Sequence, residues 1–349
     1  MACFFNFNIS VIKKKQETEN DQLCISSYLQ CLNDTMQKLA DFFKLIRWPN
    51  LLFIGLTQVL FFYCVAQPVL YGGLHMPRED SILFIILCIS SVFIAAAGYV
   101  INDYFDLNID LVNKPARMVV DRTISRRWAI LFHLFFSVAG ILMGFYIGLQ
   151  NGNWIIGFAN TLCVFLLWFY STSFKKKLLS GNISISLLTA WVVFVVYLLT
   201  VQQRIEVLQV INPGSQQKLL RLALLYSSFA FIITLIREVV KDIEDMEGDA
   251  KYGCKTMPIV WGVDFSKVFT TIWMVILISL LIVVMFYVLQ FKMWLAASYV
   301  FVLIIVPSVY SLYFLMKAKT TADFATLSKW IKAIIFTGIL SMIFFKIFG

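Results

Sequence analysis

Nine apolar runs of roughly 20 residues recur along this chain, at about 50–66, 82–101, 128–149, 154–171, 183–201, 219–238, 266–290, 293–315 and 325–346. A helix rises about 1.5 Å per residue, so each run is long enough to cross the ~30 Å hydrocarbon core of a bilayer. The chain is 60% hydrophobic and 14% charged, against about 25% charged in a soluble protein. The expected fold class is therefore all-α: a polytopic membrane protein with nine transmembrane helices in one bundle. At 349 residues the length suffices for that bundle and leaves no room for an appended globular domain.

The charges fix an expected orientation. With the N-terminus in the cytoplasm, 23 of the 29 lysines and arginines fall in cytoplasmic segments and six outside, as positive-inside topology requires. The net charge of +9 is thus a topology signal and a lipid contact, and a nucleic-acid partner is excluded. The expected location is the cell (inner) membrane. The seven cysteines form no CxxC pair and have no metal spacing with the two histidines, so no redox or zinc role is assigned. His133 lies inside an apolar run and is expected to be a satisfied interior histidine.

Residues 1–35 differ from the rest. Their short apolar stretch precedes its lysines, the reverse of a secretory signal, and is too short to span. The expectation is a disordered or surface-bound extension, with Met36 as a natural start. From Met36 to Arg47, Leu39, Phe42, Phe43 and Ile46 recur at helical spacing, which predicts an interfacial amphipathic helix. Trp48 and Pro49 then suit the headgroup level and a first helical turn.

Two acidic clusters carry the chemistry. Asp103, Asp106 and Asp110 are spaced i, i+3, i+7 and close the second apolar run. Asp242, Asp245 and Asp249 repeat the spacing after the sixth. At 3.6 residues per turn each triad falls on one helix face. Asn102 adds an amide oxygen to the first. Runs two and six both travel inward, so both clusters are expected at the cytoplasmic face, around one active-site cavity. Six carboxylates in one place repel without cations. Hard oxygens call for Mg²⁺, and Mg²⁺ usually brings phosphate. The expected metal ligands are Asn102 and all six aspartates.

Nearby bases would take the remaining phosphate charge. Lys114 and Arg117 follow the first cluster, Lys175 and Lys177 lie between runs four and five, and Lys241 sits beside the second cluster. A diphosphate at the mouth of an apolar bundle implies a lipid diphosphate. Metal coordination neutralises such a leaving group, and aromatic faces stabilise an allylic cation. Tyr99, Tyr104, Tyr170 and Phe174 fall near this region.

These motifs resemble the UbiA family of intramembrane prenyltransferases over residues 40 to 346. Asn102-Asp103-Tyr104-Phe105-Asp106-Leu107-Asn108-Ile109-Asp110 is similar to that family's NDxxDxxxD motif. Lys241-Asp242-Ile243-Glu244-Asp245-Met246-Glu247-Gly248-Asp249 is similar to its second, with Asp245 and Asp249 at the DxxxD positions. Arg47-Trp48-Pro49-Asn50 and Tyr170-Ser171, with Lys175 and Lys177 before Gly181-Asn182, add to the likeness, and Asn50 joins the diphosphate-binding set. One departure is Met118-Val119-Val120-Asp121, where many relatives carry Arg-Pro-Ile-Pro-Ser-Gly.

The resemblance implies a prenyltransferase domain over 36–349, Mg²⁺ as cofactor, a polyprenyl diphosphate donor and a lipid or aromatic acceptor. No obligate protein partner is evident. The second motif is most similar to the digeranylgeranylglyceryl phosphate synthase branch, which implies geranylgeranyl transfer to the free hydroxyl of geranylgeranylglyceryl phosphate. The alternatives are an aromatic prenyltransferase of quinone biosynthesis, acting on 4-hydroxybenzoate or dihydroxynaphthoate, and, more remotely, an ion-coupled transporter. Transporters place their acids near the midplane, whereas these cluster at one face.

Overall fold

A computed structural model describes residues 30, 33, 35–71, 78–113, 118–152, 154–202 and 214–348. Among them, nine helices are long and apolar enough to cross a membrane. A lead-in helix, α1 (35–45), precedes them. The spans are α2 (Trp48–Tyr71), α3 (Arg78–Phe105), α5 (Arg126–Asn151), α6 (Ile155–Thr172), α7 (Ser180–Val201), α8 (Ser215–Glu244), α11 (Val263–Gln290), α12 (Trp294–Lys317) and α13 (Thr321–Ile347). Short helices α4 (Leu107–Asn113), α9 (Met246–Lys251) and α10 (Met257–Val260) follow the two acid-bearing spans. Among the described residues there is no strand, only an isolated bridge between Val120 and Ile124. The expected extension, residues 1–35, falls almost wholly outside the described residues.

The helices run past the apolar stretches that predict them. The sixth run is placed at 219–238, yet α8 continues to Glu244. Helical hydrogen bonding does not stop at the hydrocarbon boundary, so charged residues extend each span into water. Two spans contain a π-helical turn, Phe61–Ala66 in α2 and Phe301–Ile305 in α12. Each lies just ahead of a proline, Pro68 and Pro307. Proline lacks an N–H and its ring clashes with the carbonyl four residues back, so a locally wider turn relieves both.

Lipid offers no hydrophobic drive between helices, so close packing and small residues hold the bundle. Gly140 and Gly144 of α5 do this against α3 and α6. A Cβ on Gly140 would lie 2.6 Å from Ile94 Cγ1, and one on Gly144 would lie 2.6 Å from Asn160 Nδ2. Asn160 in turn donates to Ser90 Oγ at 2.8 Å, and Ser90 Oγ donates to the Gly140 carbonyl at 2.8 Å. On the other side, Phe62 and Phe84 stack at 3.9 Å in a cluster with Leu87, Ile147 and Leu199. Large apolar side chains such as Phe135, Phe158 and Phe286 face outward, as lipid-facing positions should. His133 is buried and its Nδ1 meets the Ala97 carbonyl at 3.0 Å, the satisfied interior position expected of it.

Candidate active site

Each acidic motif begins on a span and ends on a short helix, with its middle aspartate at the break. Asp106 separates α3 from α4, and Asp245 separates α8 from α9. The single continuous face predicted from the spacing is therefore interrupted once in each motif. The helical bonds still carry across: Asp106 N donates to the Asn102 carbonyl at 3.0 Å and Asp110 N to Asp106 at 2.8 Å. Asp245 N donates to Lys241 at 2.8 Å and Asp249 N to Asp245 at 3.2 Å. The triads thus keep a shared face while the chain turns at the middle residue.

The two motifs meet through Asn113, a residue that belongs to neither triad. Its Nδ2 donates to the Asp245 carbonyl at 3.1 Å, and its Oδ1 accepts from Gly248 N at 3.0 Å. Gly248 makes the approach possible, since a Cβ there would sit 2.2 Å from Asn113 Oδ1. A side-chain amide carries both a donating NH2 and an accepting oxygen, which suits it to bridge two backbone groups.

Charge pairing fills the space between the motifs. Arg47 Nη2 meets Asp103 Oδ1 at 2.6 Å, with its guanidinium 5.1 Å from the Tyr99 ring centroid. Asp103 beside it drives the Arg47 pKa still higher. Lys175 Nζ meets Asp106 Oδ1 at 2.5 Å, and Asn102 Nδ2 donates to Asp106 Oδ2 at 2.8 Å. Asn182 Nδ2 donates to Asp242 Oδ2 at 2.7 Å. Lys175 is held in place from below, because a Cβ on Gly181 would lie 2.9 Å from the Lys175 Cα. Lys255 N donates to the Lys176 carbonyl at 2.8 Å, which ties this loop to the segment after the second motif. Burial raises the Cys254 thiol to about 11.

All six aspartates, Asn102, Asn50, Lys175 and Lys241 line one cavity of about 1850 Å³. Tyr99 and Tyr170 line it too, and Tyr104 and Phe174 do not. The cavity is not confined to the acidic end. Its wall includes Gln217, Lys218 and Lys292 at the opposite end of the bundle, so a long apolar passage lies behind the charged mouth. Lys177, expected at the diphosphate, is exposed and outside that wall, with its ammonium 5.5 Å from the Phe174 ring. The short helical turn Phe174–Lys176 turns Lys175 inward and leaves Lys177 outside. Lys114 and Arg117 lie outside the described residues. Asn50 faces the cavity, but its Oδ1 accepts from Lys332 Nζ at 2.8 Å. The departing segment has a packing role: Val119 and Val120 are buried beside Leu45 and Leu107, and Asp121 turns at φ 67 to pair with Arg126 at 3.0 Å.

The residues present fit a divalent cation by donor chemistry. Hard carboxylate and amide oxygens from two elements share one mouth, as oxygen-seeking Mg²⁺ requires. Among the described residues no three acidic, histidine or cysteine side chains already converge at ligand distance. Arg47 and Lys175 instead occupy oxygens of Asp103 and Asp106, doing for the carboxylates what a cation would do.

The profile of the UbiA prenyltransferase family matches residues 59–336. The chain belongs to that family. Over 251 residues it is 29% identical to the digeranylgeranylglyceryl phosphate synthase of Methanosphaera stadtmanae, covering 71% of this chain and 82% of that one. A solved structure concerned with digeranylgeranylglyceryl phosphate synthase in membranes superposes with a TM-score of 0.56 at 24% identity, covering 88% of this chain and 99% of that one. A UbiA homologue from Archaeoglobus fulgidus bound to DMAPP and Mg²⁺ superposes with a TM-score of 0.51 at 14% identity, covering 86% and 99%. This UbiA-family protein is thus an integral membrane prenyltransferase, and its described residues carry the nine spanning helices expected from the apolar runs.

Proposed function

We propose that this prenyltransferase moves a geranylgeranyl group from its diphosphate to the free hydroxyl of geranylgeranylglyceryl phosphate, with Mg²⁺ between the acidic motifs. One observation carries the reading: two acidic helix ends, bridged by Asn113, share the mouth of a cavity that continues through the apolar bundle. A volume near 1850 Å³ exceeds the roughly 300–1,000 Å³ of ordinary small-molecule pockets and suits two long prenyl tails. The Methanosphaera relative and the Mg²⁺-bound homologue support the same acceptor and metal. The N-terminus and the acidic mouth are assigned to the cytoplasmic side of the cell membrane by the charge asymmetry.

Asn102, Asp103, Asp106 and Asp110 on one side, with Asp242, Asp245 and Asp249 on the other, are the residues that would hold the metal. When bound there, Mg²⁺ neutralises the departing diphosphate. Lys175, paired with Asp106, and Lys241, on the same cavity wall, take further phosphate charge. The faces of Tyr99 and Tyr170 line the path of the allylic carbon and stabilise its developing positive charge. The surrounding apolar wall keeps water from capturing that carbon. The acceptor oxygen then bonds the carbon, and diphosphate and a proton are released.

The test is incubation of purified protein with Mg²⁺, radiolabelled geranylgeranyl diphosphate and three acceptors: geranylgeranylglyceryl phosphate, 4-hydroxybenzoate and dihydroxynaphthoate. Label on the glyceryl phosphate, lost with EDTA and in Asp106→Ala or Asp245→Ala, is the expected result. Label on an aromatic acceptor alone overturns it.

A further inference from the structure

A second charged group lines the same cavity and is not needed by the metal or its diphosphate. Lys332 sits within the last span, where a charge is costly unless it serves a purpose. Among the described residues it meets no carboxylate; its partners are Asn50 at 2.8 Å and the Phe53 ring at 5.1 Å. Arg237 of α8 lines the same cavity wall as Lys332. Arg237 Nη1 donates to Glu238 Oε1 at 2.8 Å, while its Nε is buried with no hydrogen-bond partner. Lys241 shares the same carboxylate at 3.5 Å. With Lys241 assigned to the donor diphosphate, Lys332 is left on the cavity wall with no carboxylate partner among the described residues, and Arg237 with a buried Nε that no acceptor meets.

An ammonium and an unmet guanidinium N–H suit a phosphomonoester, which carries roughly −1.5 to −2 at pH 7 and offers three strong acceptor oxygens. The position also fits. Glu238 precedes Asp242 by four residues, and Tyr99, beside Arg47, precedes Asp103 by four. One helical turn, about 5.4 Å, thus separates Glu238 from the second acidic motif. A glycerol phosphate held here places its neighbouring hydroxyl between its own phosphate and the donor's diphosphate.

We propose that Lys332 and Arg237, braced by Asn50 and Glu238, bind the phosphomonoester of the acceptor lipid. The assignment rests on the acceptor named under the proposed function. It separates the two anions of the reaction: the donor's goes to the acidic motifs and the acceptor's to this group. It also leaves Asn50 to orient Lys332 instead of touching the diphosphate.

The experiment measures initial rates of the full-length protein with Mg²⁺ while donor and acceptor are varied in turn. Lys332→Met and Arg237→Gln are expected to raise the KM for geranylgeranylglyceryl phosphate by about 10- to 100-fold, as loss of a charge-assisted hydrogen bond does. The donor KM should stay within about twofold of wild type, well under the tenfold that 1.4 kcal/mol represents. Lys332→Arg should recover most of the loss. With geranylgeranylglycerol, which lacks the phosphate, wild type and Lys332→Met should be equally poor. An unmoved acceptor KM in Lys332→Met, or a rise in donor KM instead, overturns the assignment while leaving the function intact. A wild-type protein that labels only an aromatic acceptor overturns the function and this assignment together.

Discussion

Lys175 Nζ and Asp106 Oδ1 lie 2.5 Å apart across 69 residues of sequence, with side chains only 10% and 14% exposed. The pair joins the loop after α6 to the middle of the first acidic motif. Breaking a buried pair by removing one partner costs about 3–5 kcal/mol, because the other charge is left uncompensated. Lys175→Met should therefore lower thermal stability most in EDTA, and Mg²⁺ should restore part of the loss by taking the place of the ammonium. Catalysis should fall by roughly 10²- to 10³-fold, the usual effect of deleting one charge-stabilising donor. Thermal melts with and without metal, paired with kcat/KM, check both. Equal destabilisation in EDTA and Mg²⁺ would mean that Asp106 does not face the cation.

Gly248→Ala tests whether the two motifs must touch. Its new methyl would meet Asn113 Oδ1 at 2.2 Å and push α4 from α9. Geometry errors of this size near the reacting atoms commonly cost about 10²-fold, so turnover should fall by that order with the melting temperature little changed. Asn113→Ala should be milder, since it removes two neutral hydrogen bonds worth about 1 kcal/mol each. Steady-state rates on both variants, normalised to inserted protein, decide the order of effects.

What the sequence disclosed follows physical range. Apolar runs and triad spacing are local, so the nine spans and the two acidic ends are legible in the order of residues alone. Partners across the bundle are not. Arg47 and Asp103 are 56 residues apart, Asn182 and Asp242 are 60, and Asn50 and Lys332 are 282. No periodicity links them. Lys175 and Lys177 show the limit at short range, since only the turn at Phe174–Lys176 decides which of two neighbours enters the cavity. Asn113 does carry a usable signal: an amide directly after the first motif, with Gly248 inside the second.

The small-residue seam of α5 bears on stability. Gly144→Val would place carbon 2.6 Å from Asn160 Nδ2, the amide that also reaches Ser90 at 2.8 Å and the Gly140 carbonyl at 3.3 Å. The helix must shift or the network must open. Overpacking of this kind costs about 1–3 kcal/mol. The expected result is a lower midpoint in detergent unfolding, with Gly144→Ala intermediate.

The π-turn of α12 offers a sharper test of how the bundle repairs its own backbone. In an α-helix the Leu303 carbonyl would accept from residue 307, but residue 307 is proline and has no N–H. Thr337 Oγ1 of α13 donates to that carbonyl at 3.0 Å, so a neighbouring helix supplies the missing donor. Thr337→Val keeps the branched shape and removes the hydroxyl, at an expected cost of about 1 kcal/mol. Pro307→Ala returns an N–H to the chain, which should pair with Leu303 directly. In that background the same Thr337→Val change should cost close to nothing. A double-mutant cycle measured by equilibrium unfolding isolates the coupling. Equal costs in both backgrounds would mean that the hydroxyl serves the Ile334 carbonyl, its other acceptor at 3.0 Å, and not the break at Pro307.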